Sequence, residues 1–146
     1  MQEIKELEKK LKLITKQEEK LSNEANDIRF KIRDLIEKQE QAKVEKKFHV
    51  GDYFLDNIGI VNYHCDVLRV YEVLSVELGR WPTVKVREYK IGYSDGDFYT
   101  HIEKITLRNF GNIGKKISQK DFLELKEIIY NPEQYEGSKW NVKNNN

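Results

Sequence analysis

The chain has 146 residues, and its 26 Lys and Arg residues nearly balance its 25 Asp and Glu residues. This length allows one modest domain plus an appendage, and the balanced charge argues against a general nucleic-acid binder, which carries a strong basic excess. The single cysteine, Cys65, excludes an internal disulfide and a thiolate metal cluster. The charged N-terminal segment lacks the apolar region of a signal peptide, and no apolar run reaches membrane-spanning length. We therefore expect a cytoplasmic protein without a membrane partner.

Apolar residues recur with heptad spacing through the first forty-odd residues. Position a holds Ile4, Leu11, Glu18, Ala25, Ile32 and Gln39, and position d holds Leu7, Ile14, Leu21, Ile28, Leu35 and Ala42. Without Gly or Pro inside it, this pattern predicts one coiled-coil helix over residues 3–46. We call nine of these residues the seam and expect them to join copies of the chain: Ile4, Leu7, Leu11, Ile14, Leu21, Ala25, Ile28, Ile32 and Leu35.

Two properties of this helix stay open at the level of sequence. The weak helix formers at 22–23 and 26–27 allow a helical hairpin as the alternative to a continuous rod. The flanking charges do not settle the orientation: a parallel pair would join Glu24 to Arg29 favourably, but it would join Lys38 to Lys43 and Glu3 to Glu8 unfavourably. Ile36 widens the stripe and hints at more than two helices or at packing on the C-terminal domain.

From Phe48 onward the apolar period changes to two, which predicts strands. A short strand over 50–54 is followed by three longer strands at about 66–78, 83–93 and 97–108. Asp95-Gly96 predicts a two-residue type I′ turn, because both central residues of that turn need positive φ. A three-residue loop at 79–81 closes the preceding hairpin.

The turn fixes a register in which apolar residues face each other across the last hairpin. It pairs Tyr93 with Phe98, Tyr89 with Ile102, Val86 with Ile105 and Val84 with Leu107. The loop at 79–81 places Leu74 opposite Val86, Val76 opposite Val84 and Tyr71 opposite Tyr89. The apolar face then switches sides midway along all three strands, which predicts either a curled SH3-like sheet or a sheet whose two faces are covered by different partners.

A short helix and a polar tail end the chain. Ser118 is the predicted N-cap and Asn131-Pro132 the predicted end, with Phe122, Leu125 and Ile129 as the core stripe. We expect an α+β fold with a coiled-coil helix at 1–47, a small β-barrel-like domain at 48–131, and a disordered tail at 132–146. The domain at 48–131 is expected to combine a strongly twisted antiparallel sheet, of the SH3-like barrel type, with a short C-terminal helix. Trp140 in that tail is a candidate for docking on the domain or on a partner.

Two charged groups on the sheet are candidate sites. The predicted registers put Glu72, Glu88 and Glu103 in one cross-strand row, with His101 and Lys90 in the next row, so the row is either a cation site or acidic docking patch, or a solvated face. On the reverse face, Lys85, Arg87 and Lys104, together with Arg69, form a candidate basic patch for nucleic acid. A solvated face is again the alternative.

No motif predicts catalysis. His64, Cys65 and Asp66 are adjacent, and neighbours on a strand point to opposite faces, so they cannot form a nucleophile–base pair with one another. The sequence has no Gly-rich phosphate loop, paired-cysteine zinc motif or nucleophile elbow. We therefore expect a protein that is not an enzyme, without a metal or cofactor.

The segment 50–108, which begins Val50-Gly51-Asp52-Tyr53 and continues as a meander, resembles the SH3/Tudor class of small barrels. That resemblance implies a binding fold. The whole layout is also similar in style and composition to small phage or prophage accessory proteins, some of which, including anti-CRISPR proteins, inhibit host defence nucleases. We expect a homo-oligomeric protein-binding module in a bacterial cytoplasm, in its most concrete form a phage-encoded inhibitor of a defence complex. A nucleic-acid-binding barrel and a virion or scaffold protein are the alternatives.

Overall fold

The N-terminal segment is one uninterrupted helix. A computed structural model describes residues 1–108 and 113–142 and shows α1 at Gln2–Lys47. The helical-hairpin alternative is therefore wrong. The weak helix formers at 22–23 and 26–27 each cost only a few tenths of a kcal/mol within a helix, so the helix continues through them. Contacts divide the chain into two compact units, Met1–Glu40 and Gln41–Asn146. The last turns of α1 thus group with the sheet, seven residues before the predicted limit at 47.

The second unit is built on one antiparallel sheet of five strands. These are β1 (Tyr53–Asn57), β2 (His64–Glu77), β3 (Thr83–Ser94), β4 (Asp97–Leu107) and β5 (Lys115–Ile117), in the spatial order β4-β3-β2-β1-β5. Helix α2 (Gln119–Tyr130) and a 3₁₀ helix (Pro132–Tyr135) follow. The predicted α+β class is confirmed. The sheet is open, because its outer strands β4 and β5 do not pair, and SH3-like barrel closure is not confirmed.

The β3–β4 hairpin has the predicted register throughout. Asp95 and Gly96 both adopt positive φ, at 49° and 92°, as a type I′ turn requires. Val84 pairs with Leu107 at one end and Tyr93 with Phe98 at the other. A two-residue turn leaves no freedom in how its strands align, so the sequence determined this hairpin completely.

The β2–β3 register was predicted correctly only near its loop. Val76 pairs with Val84 as expected, but bulges at Leu74 and at Val67 each shift β2 by one residue. Tyr71 therefore pairs with Glu88, so the predicted pairs of Leu74 with Val86 and Tyr71 with Tyr89 are wrong. A one-residue shift moves a side chain to the other face of a sheet, which is how Tyr71 comes to lie on the face opposite Tyr89.

The two faces of the sheet carry separate cores with different covers. The larger core consists of α2, the 3₁₀ helix and one face of the sheet, and includes Val67, Leu68, Val70, Tyr89, Ile91, Phe122, Leu125, Ile128, Ile129 and Tyr135. The smaller core lies on the other face of the sheet, which the end of α1 and Ile113 cover. It includes Val44, Phe48, Phe54, Tyr71, Val73, Val84, Val86 and Ile113. Of the two alternatives from the sequence, the sheet with two differently covered faces is the one observed.

The C-terminal helix begins as predicted, and the chain stays ordered beyond it. The Ser118 hydroxyl accepts a hydrogen bond from the Asp121 amide at 3.1 Å, which satisfies one of the helix's unpaired donors. Tyr135 is fully buried and donates to Asn57 Oδ1 at 3.1 Å, and Trp140 packs against the larger core. The prediction of a disordered tail from 132 is therefore wrong for 132–142, because the polar composition concealed two aromatic anchors. The stretch 143–146 lies outside the described residues.

Candidate interaction surface

The seam forms one exposed apolar face along the first unit. Its eight Leu and Ile side chains are each between 50% and 64% exposed in the single chain, whereas globular helices normally bury such a stripe. Val44, near the C-terminal end of α1, is the only α1 residue that is fully buried. The heptad pattern thus has no apolar cover within Met1–Glu40.

Two polar side-chain pairs of α1 lie outside the seam. Lys38 Nζ lies 3.0 Å from Asp34 Oδ2 one turn away, and Arg29 donates to the Asn26 side-chain oxygen at 3.1 Å. Exposed pairs of this kind add a few tenths of a kcal/mol to a helix. They support the helix and leave the seam unobstructed.

Two exposed apolar residues of α1 lie off the seam and provide an internal comparison. Leu13 is 60% exposed at heptad position c, close to the 64% of Leu11 on the seam, and Phe30 is exposed at position f. Exposure alone therefore does not distinguish the seam. Its heptad alignment does, because only positions a and d face a partner helix in a coiled coil.

The predicted acidic row is not a row. Glu88 pairs with Glu103 as expected, and His101 Nε2 lies 3.3 Å from Glu103 Oε2. Glu72, however, pairs with Arg87 and lies on the opposite face, because of the bulge at Leu74. Its carboxylate accepts from the Tyr89 hydroxyl at 2.9 Å and lies 3.6 Å from the Arg87 guanidinium.

The remaining pair of this row is also divided by burial. Glu88 is 7% exposed and belongs to a polar network in which the Tyr71 hydroxyl contacts both Glu88 and Arg69. Burial raises the pKa of the Tyr71 hydroxyl, the nearby Arg69 opposes that shift, and Glu88 adds to it. Glu103 is exposed. No group of three His, Cys, Asp or Glu side chains suited to a metal ion occurs in the residues that the structure describes.

The predicted basic patch is split between the two faces and largely paired with carboxylates. Lys85, Arg87 and Lys104 share one face, but Arg69 lies on the other, aligned with Lys90. Arg69 lies 3.8 Å from both Asp56 and Asp66, and Lys85 lies 3.5 Å from Glu77. These nearby carboxylates oppose the positive field that nucleic acid would require.

His64, the first residue of β2, lies beside the tip of the β3–β4 hairpin and contacts two polar side chains there, which the sequence analysis did not predict. His64 Nδ1 lies 2.9 Å from Ser94 Oγ, and His64 Nε2 lies 3.6 Å from Asp95 Oδ1. The types match a Ser–His–Asp relay, yet the His64 and Asp95 side chains are 69% and 76% exposed, where water competes for every contact and weakens the pairing. Because His64 also pairs with Ser94 between β2 and β3, these contacts connect the start of β2 to the Asp95-Gly96 turn. Cys65 lies beside it, half-buried.

Comparisons with protein-family models, with curated proteins and with solved structures find no match to this chain. None of the helices in the described residues combines the length and apolar character needed to cross a lipid bilayer. The seam, rather than a pocket or a charged patch, is the surface from which a function can be argued.

Proposed function

We propose that this chain is a homo-oligomeric, non-enzymatic binding module whose N-terminal helix joins copies through the seam. The observation that carries the proposal is the seam itself: eight large apolar side chains, each at least half exposed, follow an unbroken heptad repeat along Met1–Glu40. A second helix that buries this stripe is the usual solution for such a pattern.

The free energy gained by burying the seam side chains on association is comparable to the cost of association. Fully burying a Leu or Ile side chain stabilises by about 1.5–3 kcal/mol, and half or more of each seam side chain remains to be buried. Sixteen such side chains in a dimer supply roughly 16 kcal/mol before costs, against an association cost of about 4–15 kcal/mol. Association through the seam alone is therefore energetically possible.

Assembly gives the second unit its role in the proposal. Copies joined through α1 present the same sheet surfaces repeatedly, and a repeated surface binds a repeated or clustered protein target more tightly through effective concentration. The more specific hypothesis of a phage-encoded defence inhibitor stays a prediction. Nucleic-acid binding is not proposed, because carboxylates lie close to Arg69, Lys85 and Arg87.

Light scattering on matched double variants tests the proposal. The wild-type mass is expected to be that of two or more whole chains, each of 17.4 kDa. Leu11→Lys with Leu21→Lys places two charges on the seam and should reduce the mass to one chain. The control, Leu13→Lys with Phe30→Lys, adds the same charge off the seam and should keep the wild-type mass. A wild-type mass of 17.4 kDa at about 100 μM, well above typical Kd values for specific complexes, would overturn the proposal.

A further inference from the structure

The charged residues that flank the seam mostly repel each other in a parallel pair of helices and mostly attract each other in an antiparallel pair. We infer that α1 pairs antiparallel with α1 of a second copy, in the register that places Ile4 opposite Leu35 of that copy. This inference rests on the proposed function and specifies the partner and its direction. The residues at the e and g positions beside the seam support it, because these positions set partner orientation in coiled coils.

A parallel arrangement places like charges together at both ends of the seam. Its g-to-e contacts join Glu3 with Glu8 and Lys38 with Lys43 unfavourably, and only Glu24 with Arg29 favourably. It also stacks Glu18 directly on Glu18 in a core layer, where two carboxylates repel. These contacts recur between neighbouring helices of every parallel oligomer, so a third strand does not remove them.

The antiparallel register reverses the balance of charge. It joins Glu3 with Lys38 and Glu8 with Arg29, and two-fold symmetry repeats each pair. The one repulsive flanking contact is between Lys10 and Lys31, which are long, exposed side chains that can separate in water.

The core layers of this register are better matched than those of a parallel pair. Glu18 packs beside Leu21 of the second copy instead of on another Glu18. Ile36, which widens the stripe, comes level with Met1 of the second copy, so an apolar flank meets an apolar flank. Every large seam residue then has a residue opposite it.

The extent of the first unit selects this register over its neighbours. A shift by one heptad towards the C-terminus faces Glu24 with Glu24 and carries the partner's first residues along 41–45, where Val44 is buried in the smaller core. A shift the other way relieves Lys10, but among the described residues it gives Ile32 and Leu35 no residue opposite them. Four unburied side chains per dimer cost roughly 4 kcal/mol, whereas two exposed like-charge contacts cost under about 1 kcal/mol.

Disulfide formation between two singly substituted full-length chains tests the orientation. In a Cys65→Ser background, Leu11→Cys and Ile28→Cys are prepared as separate chains, and each is oxidised in a glutathione buffer alone and after mixing. The antiparallel register brings position 11 opposite position 28, so a covalent dimer should form only in the mixture. The control mixture of Leu13→Cys with Ile28→Cys should give no covalent dimer, because position 13 lies off the seam.

The other outcomes separate this inference from the proposed function. Covalent dimers from Leu11→Cys alone would show parallel pairing and overturn the inference while the proposed assembly stands. An oligomeric mass without any covalent dimer would overturn this register. A monomeric wild-type mass would overturn the proposed function and this inference with it.

Spin labels at Lys9→Cys and Lys16→Cys provide a second measurement that leaves the seam intact. Both residues occupy outward-facing f positions. In the antiparallel register the two labels of a dimer are offset along the axis by about 32 Å at position 9 and about 10 Å at position 16. Equal distances at the two positions would show parallel pairing and overturn the inference.

Discussion

Leu11 and Leu13 allow the role of the seam to be tested with one substitution made twice. The two leucines are similarly exposed in the single chain, at 64% and 60%, and lie two residues apart in the same helix. Leu→Ala at either position has the same small effect on intrinsic helix propensity. Any difference between the two variants must therefore come from what covers the side chain after association.

The expected difference follows from the exposed fraction. About two-thirds of the 1.5–3 kcal/mol for full burial of Leu11 remains to be gained on association, or about 1–2 kcal/mol per chain. A dimer loses this twice, which raises its dissociation constant roughly 30- to 700-fold. Leu13→Ala should change the same constant less than about twofold, within the usual range for surface substitutions.

Sedimentation equilibrium over a range of protein concentrations measures these dissociation constants directly. Helix content from circular dichroism should fall with dissociation in Leu11→Ala, because an isolated polar helix is marginal in water. Equal weakening by Leu11→Ala and Leu13→Ala would refute the heptad argument, since it would mean that association does not distinguish the seam from the rest of the helix.

Three further predictions concern the second unit. Val44→Ala should lower the free energy of unfolding in urea by about 2 kcal/mol, measured by aromatic near-ultraviolet signals, because two buried methyl groups are lost. Val50→Ala, at an exposed site, should cost under about 0.5 kcal/mol, and equal effects of the two substitutions would contradict the placement of Val44 in the smaller core. Tyr135→Phe should cost about 1 kcal/mol in the same assay, since its hydrogen bond to β1 is lost; an unchanged midpoint would contradict that bond. The Lys139 ammonium, hydrogen-bonded to Glu124, lowers the pKa of that carboxyl, so the pair's contribution to stability is present above the ordinary Glu pKa and is lost as pH falls through the lowered value. In Lys139→Ala, an NMR titration should show a higher pKa for Glu124, and an unchanged pKa would refute the contact.

The parts of the fold that the sequence predicts correctly are those determined by local chemistry. The Asp95-Gly96 turn fixes every pair of the β3–β4 hairpin, and Ser118 marks the start of α2. Each of these follows from the conformational needs of a few adjacent residues.

Prediction from the sequence fails at the bulges, where one residue of a strand has no partner in the neighbouring strand. The bulges at Val67 and Leu74 are not marked by Gly or by any turn signal, and each reverses the faces of the residues beyond it. The candidate acidic row therefore lost Glu72 and the basic patch lost Arg69 to the opposite face. The contact between His64 and the turn was missed for the related reason that no spacing rule links residues thirty positions apart.

The open edge of the sheet has a consequence for a chain that assembles. Within the described residues β4 pairs only with β3, so its outer backbone groups are available to another strand, and copies joined through α1 would hold such edges at millimolar effective concentration. The middle of β4 carries His101, Glu103 and Lys104, all exposed. Placing another strand beside β4 brings its side chains against these charges and partly desolvates them, which disfavours edge-to-edge aggregation. In the proposed oligomer, the central charges of β4 would therefore oppose aggregation through this edge.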